Sequence, residues 1–238
     1  MYLALGAANP GPVLELAAGS GRIAVALAAT GHDVTGVDRD PDMLDRARQA
    51  WARRQREGSV VAGGSLHLIE ADILDLDLER QFEVVILALN SLLLLGGDEA
   101  KRRALEVMAR HLTASGCAVI DVWLPTADDL ELYDGHVMLD WIRDDDEAGQ
   151  KVAKSWSATY DEARNRAIVT TTFDLGVRPE PGTQTVRQDE IWFVGGSGLM
   201  RLAQSAGLRV VTASGDYDLS SSTSQSERVV LICRKGAA

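Results

Sequence analysis

Five short runs of almost unbroken apolar residues stand between positions 13 and 123: Val13–Leu16, His32–Val37, Leu66–Ile69, Phe82–Leu87 and Ala118–Trp123. Segments with helical spacing separate most of them. A strand that is apolar on both faces must be covered on both faces. Strands alternating with helices achieve this in a parallel, doubly wound α/β sheet. Right-handed crossovers then place every strand-to-helix loop on one edge, and ligands of such sheets bind at that carboxyl edge. The pattern therefore predicts both the fold class and the place to look for function.

The helices carry their own punctuation. Asp40-Pro41 opens one that runs to about Arg54, with Asp as N-cap and Pro at the first helical position. Asp98–Leu112 is amphipathic, with acids at its start and Arg110 and His111 at its end, as the helix dipole favours. Within it, Lys101-Arg102-Arg103 reads as a solvated face.

After the fifth run the alternation stops. Val152–Tyr160, Arg166–Leu175 and Thr185–Val194 read as antiparallel strands, with turns at Asp161–Asn165 and Pro179–Gly182. A helix (Ser197–Ala206) and two strands (Leu208–Thr212, Arg228–Cys233) follow, with Ser220–Ser226 as a polar hairpin loop. Residues 1–238 thus read as one domain, with 126–194 as an antiparallel β insert. Because the insert leaves the carboxyl end of the fifth strand, it is expected to cap the ligand edge.

Composition narrows the function classes. A net charge of −11 provides no field to draw in nucleic acid or an anionic membrane. The longest apolar stretch, Val84–Leu95, is broken by Asn90 and Ser91 and falls short of the roughly 20 residues of a membrane span. No basic segment followed by an apolar one marks a secretory leader. Cys117 and Cys233 cannot make a disulfide framework and read as core residues of a protein in a reducing compartment. No His/Cys/Asp cluster has metal-ligand spacing. A soluble cytoplasmic enzyme is expected, acting on a small molecule, with a homodimer as one arrangement.

Gly19-Ser20-Gly21 opens the helix after the first run, and Asp38 ends the second. This is the loose dinucleotide pattern. Glu15, just ahead of the turn, separates the ligands. A carboxylate there would repel a pyrophosphate, whereas it would attract an ammonium and a sulfonium. The alternative is a strand carboxylate satisfied by backbone amides.

From here the chain resembles the class I S-adenosylmethionine-dependent methyltransferases. The resemblance lies in Glu15-Leu16-Ala17-Ala18-Gly19-Ser20-Gly21, with Ala17 replacing the first glycine of the motif, in Val34–Asp38, Met43-Leu44 and Ala47, in Glu70–Ile73, and in Phe82–Ile86. It continues more loosely through Ala206–Val210 and Gly215–Tyr217. It implies a seven-stranded Rossmann-like sheet and S-adenosylmethionine as cofactor. It also implies cofactor-binding roles. The backbone at Ala17 and Gly19 would pass beneath the methionine moiety and Asp38 would accept from the ribose hydroxyls. Arg39 and Met43 would pack on adenine, Asp72 and the Ile73 amide would read the adenine edge, and the carbonyl near Leu89 would hold the methionine ammonium. Only Met1–Ala8 precede the first motif and resemble the tail of a lid helix. The lid is therefore expected from a preceding segment, from the insert or from another subunit.

For the methyl acceptor, Asn90 and Ser91 are polar side chains at the ligand edge inside an apolar run. Both are candidates for contact with substrate or the cofactor amine, or for capping the following turn. Trp123, Trp141, Trp156 and Trp192, with Tyr160 and Phe173 in the insert, suit a flat acceptor such as an indole or aryl amine, unless they are core residues. Glu190, His136 and Tyr217 are candidate bases, Tyr217 also a substrate contact. Two other readings stay open: a nicotinamide-dependent oxidoreductase, disfavoured by Glu15 and the missing Tyr-x-x-x-Lys pair, and a non-catalytic binding subunit of the same fold.

Overall fold

The computed structural model describes residues 1–145, 149–176, 184–223 and 225–236. They divide into two compact units, one formed by 1–124 with 195–238 and the other by 125–194.

In the first unit the five apolar runs form strands β1 (Val13–Leu16), β2 (Asp33–Asp38), β3 (Ser65–Glu70), β4 (Phe82–Leu87) and β5 (Leu112–Trp123). They are joined by β10 (Leu208–Ser214) and β11 (Arg228–Lys235) into one seven-stranded sheet of order β10-β11-β5-β4-β1-β2-β3. The neighbours from β3 through β5 are parallel, and β11 runs antiparallel to both β5 and β10. The order reverses between β1 and β4, and the crevice at such a switch point is where doubly wound sheets bind ligands.

The helices are α1 (Tyr2–Ala8), α2 (Ala24–Ala29), α3 (Pro41–Arg56), α4 (Asp98–His111) and α6 (Gly196–Ser205), with α5 (Ala127–Glu131) in the second unit. Val13, Ile23, Leu27, Val34, Val84 and Ile86 make a core between α2 and the centre of the sheet. The capping signal holds: the Asp40 side chain accepts from the amides of Asp42 and Met43 at 3.0 and 3.2 Å. Cys117 and Cys233 are buried free thiols on adjacent strands.

Two details of α4 depart from the sequence reading. Lys101 is 1% exposed and donates its ammonium to the Gly96 carbonyl at 2.7 Å, so the basic run is not one solvated face. Burial lowers its pKa. Helical spacing turns Arg102 and Arg103 outward, to Glu99 and Glu106 and to Asp75, while Lys101 faces the core. His111 is also buried. Its Nδ1 faces the Val107 carbonyl at 2.7 Å and its Nε2 accepts the Leu78 amide at 2.9 Å, so it ties the helix end to a loop rather than presenting a charge to the dipole.

In the second unit the three expected strands appear as β7 (Gln150–Asp161), β8 (Arg166–Leu175) and β9 (Gln184–Trp192), with β6 (Met138–Asp145) added, in the antiparallel order β6-β7-β8-β9. The turn at 161–165 contains a short 3-10 helix and a left-handed Asn165. The turn expected at Pro179–Gly182 lies outside the described residues. No helix among them is long and apolar enough to cross a membrane.

Candidate functional site

The carboxyl edge of the first unit is built by backbone contacts that tie successive strand ends together. The Ala18 amide donates to the Val37 carbonyl, and the Ala71 amide to the Asp38 carbonyl, both at 3.0 Å. The glycine turn, Asp38 and Asp72 therefore share one edge. Ala17, Gly19 and Gly21 all have positive φ, at 54, 53 and 77°. At Gly21 a Cβ would lie 2.9 Å from the side chains of Ala47 and Val25, so glycine is needed for both conformation and space. Its own atoms and its chain neighbours apart, no atom of the described residues lies within 4 Å of where a Gly19 Cβ would stand, so the turn is open there.

Asp38 receives the Gly19 amide on one oxygen at 2.7 Å and the Asp40 amide on the other at 2.9 Å. Each carboxylate oxygen has a second lone-pair site, so two ligand hydroxyls can still be accepted. Asp72 accepts the Leu74 amide at 2.8 Å and ends the turn after β3, with Ile73 buried beside it. Arg39 is exposed and Met43 half-buried at the start of α3.

Glu15 is the anomaly of the sheet. It is 3% exposed in a strand otherwise made of Val and Leu, and its Oε2 has no hydrogen-bond partner. Burial is the main cause that pushes its pKa up to about 8, helped by the charge of Asp38. The Ala24 amide and Arg22 pull it the other way.

At the end of β4, Leu89 and Asn90 are both left-handed, with φ of 55 and 67°. For residues with a Cβ this strain persists only when the surroundings impose it. The Leu89 amide is held by both Asp121 oxygens at 3.1 Å, and the Asn90 side-chain oxygen accepts the Trp123 amide at 2.6 Å. The Ser91 hydroxyl donates to the Ala88 carbonyl at 2.7 Å, the turn-capping alternative.

Asp121 and Tyr2 were not singled out in the sequence. Asp121 is 1% exposed and also accepts the hydroxyls of Tyr2 and, at 3.0 Å, Tyr217. The signal that could have found Asp121 is the one that found Glu15: a single acid inside an apolar strand.

The tryptophans of the second unit do not share one wall. Side chains alternate across a strand and directly opposed residues share a face. Lys154 and Trp156 lie on one face of β7, and Trp141 and Phe173 are registered opposite Lys154. Trp192 is registered opposite Arg166, on the other face together with Glu190. Trp141 packs on Phe173 (ring centroids 6.2 Å) and Trp156 on Tyr133 (6.0 Å). Glu190 is paired with Arg166 at 3.0 Å and accepts the Trp192 indole N–H at 3.1 Å. His136 is well exposed, with its Nδ1 2.7 Å from Asp134.

Residues 13–116, from β1 into β5, match the family described as "Methyltransferase domain". The matched segment holds the glycine turn, Asp38 and Asp72. The domain is similar to a cypemycin N-terminal methyltransferase of a Streptomyces species, 32% identical over 109 residues. That alignment spans 46% of this chain and 40% of the relative. In fold the chain is similar to the CcbJ methyltransferase from Streptomyces caelestis (TM-score 0.79, 22% identity, 99% of this chain and 88% of that one). It is also similar to CalS10 from Micromonospora echinaspora, an amino pentose methyltransferase involved in calicheamicin biosynthesis and solved with S-adenosylmethionine bound (TM-score 0.68, 20% identity, 98% and 88%).

Proposed function

We propose that the chain catalyses methyl transfer from S-adenosylmethionine to a nitrogen of a small natural-product acceptor with an aromatic or heterocyclic body. One observation carries the reading. Glu15, Asp38, Asp72 and Asp121 stand at or near the ends of β1, β2, β3 and β5, and among the described residues none of them forms an ion pair. An edge with three carboxylates that no cation pairs, Asp38, Asp72 and Asp121, favours a ligand carrying sulfonium and ammonium charges over a pyrophosphate, while Glu15, its pKa pushed up to about 8 by burial, keeps its proton at neutral pH. The orphaned Glu15 oxygen and the open turn at Gly19 fit that ligand.

In this reading Asp38 accepts the ribose hydroxyls, Asp72 and the Ile73 amide hold the adenine edge, and Arg39 and Met43 cover its face. The backbone at Ala17 and Gly19 supports the methionine part, and the Leu89 carbonyl takes its ammonium. S-adenosylmethionine supplies, when bound, a methyl group that is already electrophilic. What remains for the protein is alignment and exclusion of water. Asn90, Ser91 and Trp123 border the acceptor; within the second unit Trp141 and Trp156 share one face of the insert sheet. Trp192 and Glu190, the latter read as a base, belong to the other face of the insert sheet. A nitrogen acceptor is supported by the names of the similar proteins, one an N-terminal methyltransferase and another acting on an amino pentose. Two free cysteines support a reducing, cytoplasmic setting.

Calorimetric titration with S-adenosylmethionine, S-adenosylhomocysteine and NADH tests the reading. One equivalent of each sulfur ligand is expected to bind, with binding lost in Asp38→Ala. Binding of NADH in their place would overturn the methyltransferase reading.

A further inference from the structure

Three side chains from distant parts of the chain meet at the end of β5. Asp121 accepts the Tyr2 hydroxyl on Oδ1, the Tyr217 hydroxyl on Oδ2, and the Leu89 amide on both. Four donor contacts saturate this buried carboxylate, so it does not itself meet a ligand. The tyrosines do have surface to offer: both are half-buried, with ring centroids 6.1 Å apart and planes tilted by 56°. Arg228 stacks on the outer ring, 4.3 Å from the Tyr217 centroid, and pairs with Asp216 at 3.4 Å.

A phenol has one proton to donate and lone pairs to accept with. In both tyrosines the proton is spent on Asp121. Burial and the Asp121 charge raise the pKa of each hydroxyl, against a smaller pull from Arg228 at Tyr217, so both stay protonated and committed. Each oxygen can then only accept. Two oxygens with only lone pairs left to offer, beside the left-handed Leu89–Asn90 turn, select a ligand that brings N–H donors. They disfavour a carboxylate or a phosphate.

We infer that Tyr2 and Tyr217, oriented by Asp121, form a two-oxygen subsite for the primary amine of the methyl acceptor. This rests on the nitrogen-acceptor reading above. An amine that arrives as its ammonium gives one proton to water; with its two remaining N–H bonds held by the two oxygens it keeps its lone pair as the one uncommitted valence. Asp121 is a positioning residue in this arrangement, and the tyrosine oxygens make the contact. The same chemistry exists in the cofactor, whose methionine part also carries an ammonium, so the test must separate the two sources.

The experiment titrates methylammonium into protein saturated with S-adenosylhomocysteine, following ring-labelled tyrosines by NMR. Saturable shifts of the Tyr2 and Tyr217 signals are expected. Tetramethylammonium, which has charge but no N–H, should bind at least about tenfold more weakly, because it forgoes the hydrogen bonds to both oxygens. Tyr217→Phe should weaken methylammonium by a similar factor while leaving S-adenosylhomocysteine affinity unchanged, and Tyr2→Phe provides the same reading should the first variant not fold. Equal binding of the two cations, or no saturable shift, overturns the subsite. Methylammonium binding that appears only without S-adenosylhomocysteine overturns the acceptor assignment and gives the oxygens to the cofactor's ammonium. Failure of S-adenosylhomocysteine to bind at the outset counts against the methyltransferase reading, whereas silence of methylammonium on the saturated protein counts against this subsite alone.

Discussion

Glu15 is held where ionisation is costly, and that has a consequence for stability. Its pKa rises from 4.5 to about 8 on folding. Between those values the folded state binds the proton and the unfolded chain does not, so stability falls as pH rises and levels off above pH 8. Glu15→Gln should remove this dependence. Its stability relative to the parent is expected to grow from pH 5 to pH 8 by on the order of several kcal/mol, read from urea titrations across that range. Ala17 poses a smaller question at the same turn. A left-handed alanine costs about 1–2 kcal/mol, whereas glycine loses about 0.4–1 kcal/mol through the unfolded chain. Ala17→Gly should therefore stabilise by roughly 0–1.6 kcal/mol, measured by the same titration. Residues that carry a charge where the pattern calls for an apolar side chain are legible in a sequence: Glu15 and Asp38 stand out this way. Asp121 carries the same mark, yet its meaning depends on Tyr2 and Tyr217, 119 and 96 positions away. Spacing along a chain does not reveal such partners.

The elements were legible where local rules decide them. Phe82–Leu87 is the strand its apolar run describes, and the helix opened by Asp40-Pro41 is capped by Asp40 as its chemistry requires. Asp40→Ala should cost about 1 kcal/mol in thermal or chemical denaturation, with the loss confined to α3 in hydrogen exchange. Gly21→Ala should cost about 2 kcal/mol or more, because it adds left-handed strain to a 2.9 Å approach on Ala47 and Val25. The same variant should weaken S-adenosylhomocysteine binding, since the displaced turn is part of the cofactor edge. Elements set by tertiary partners were less visible. β6 mixes Asp140, Arg143 and Asp144 with Trp141 and Ile142 and gives no clear alternation; its pairing with β7 includes a bulge between Leu139 and Trp141. Lys101 and Arg102 have the same polarity in the sequence. Only the facing of α4 separates the buried one from the exposed one.

For the molecule as a whole, the parallel, doubly wound class of the sheet was readable because it follows from apolar runs alternating with helices. The division of the insert tryptophans between two faces was not, because it depends on register. A ligand that binds only the folded state adds RT ln(1 + [L]/Kd) to stability, about 2.7 kcal/mol at one hundred times Kd. S-adenosylhomocysteine at that excess should raise the Tm of the sheet unit by roughly 5–10 °C, and Asp38→Ala should abolish the shift. The sheet order has a further consequence, for folding. β11 lies between β5 and β10, so β10 has no place in the sheet until the later strand is paired. Tyr217 sits in the connection between those two strands. During synthesis, then, the glycine turn, Asp38 and Asp72 can assemble early from local crossovers, while the Tyr217–Asp121 bond must wait for residues 228–235 to leave the ribosome. Cofactor affinity and acceptor affinity should mature at different moments in the life of the nascent chain.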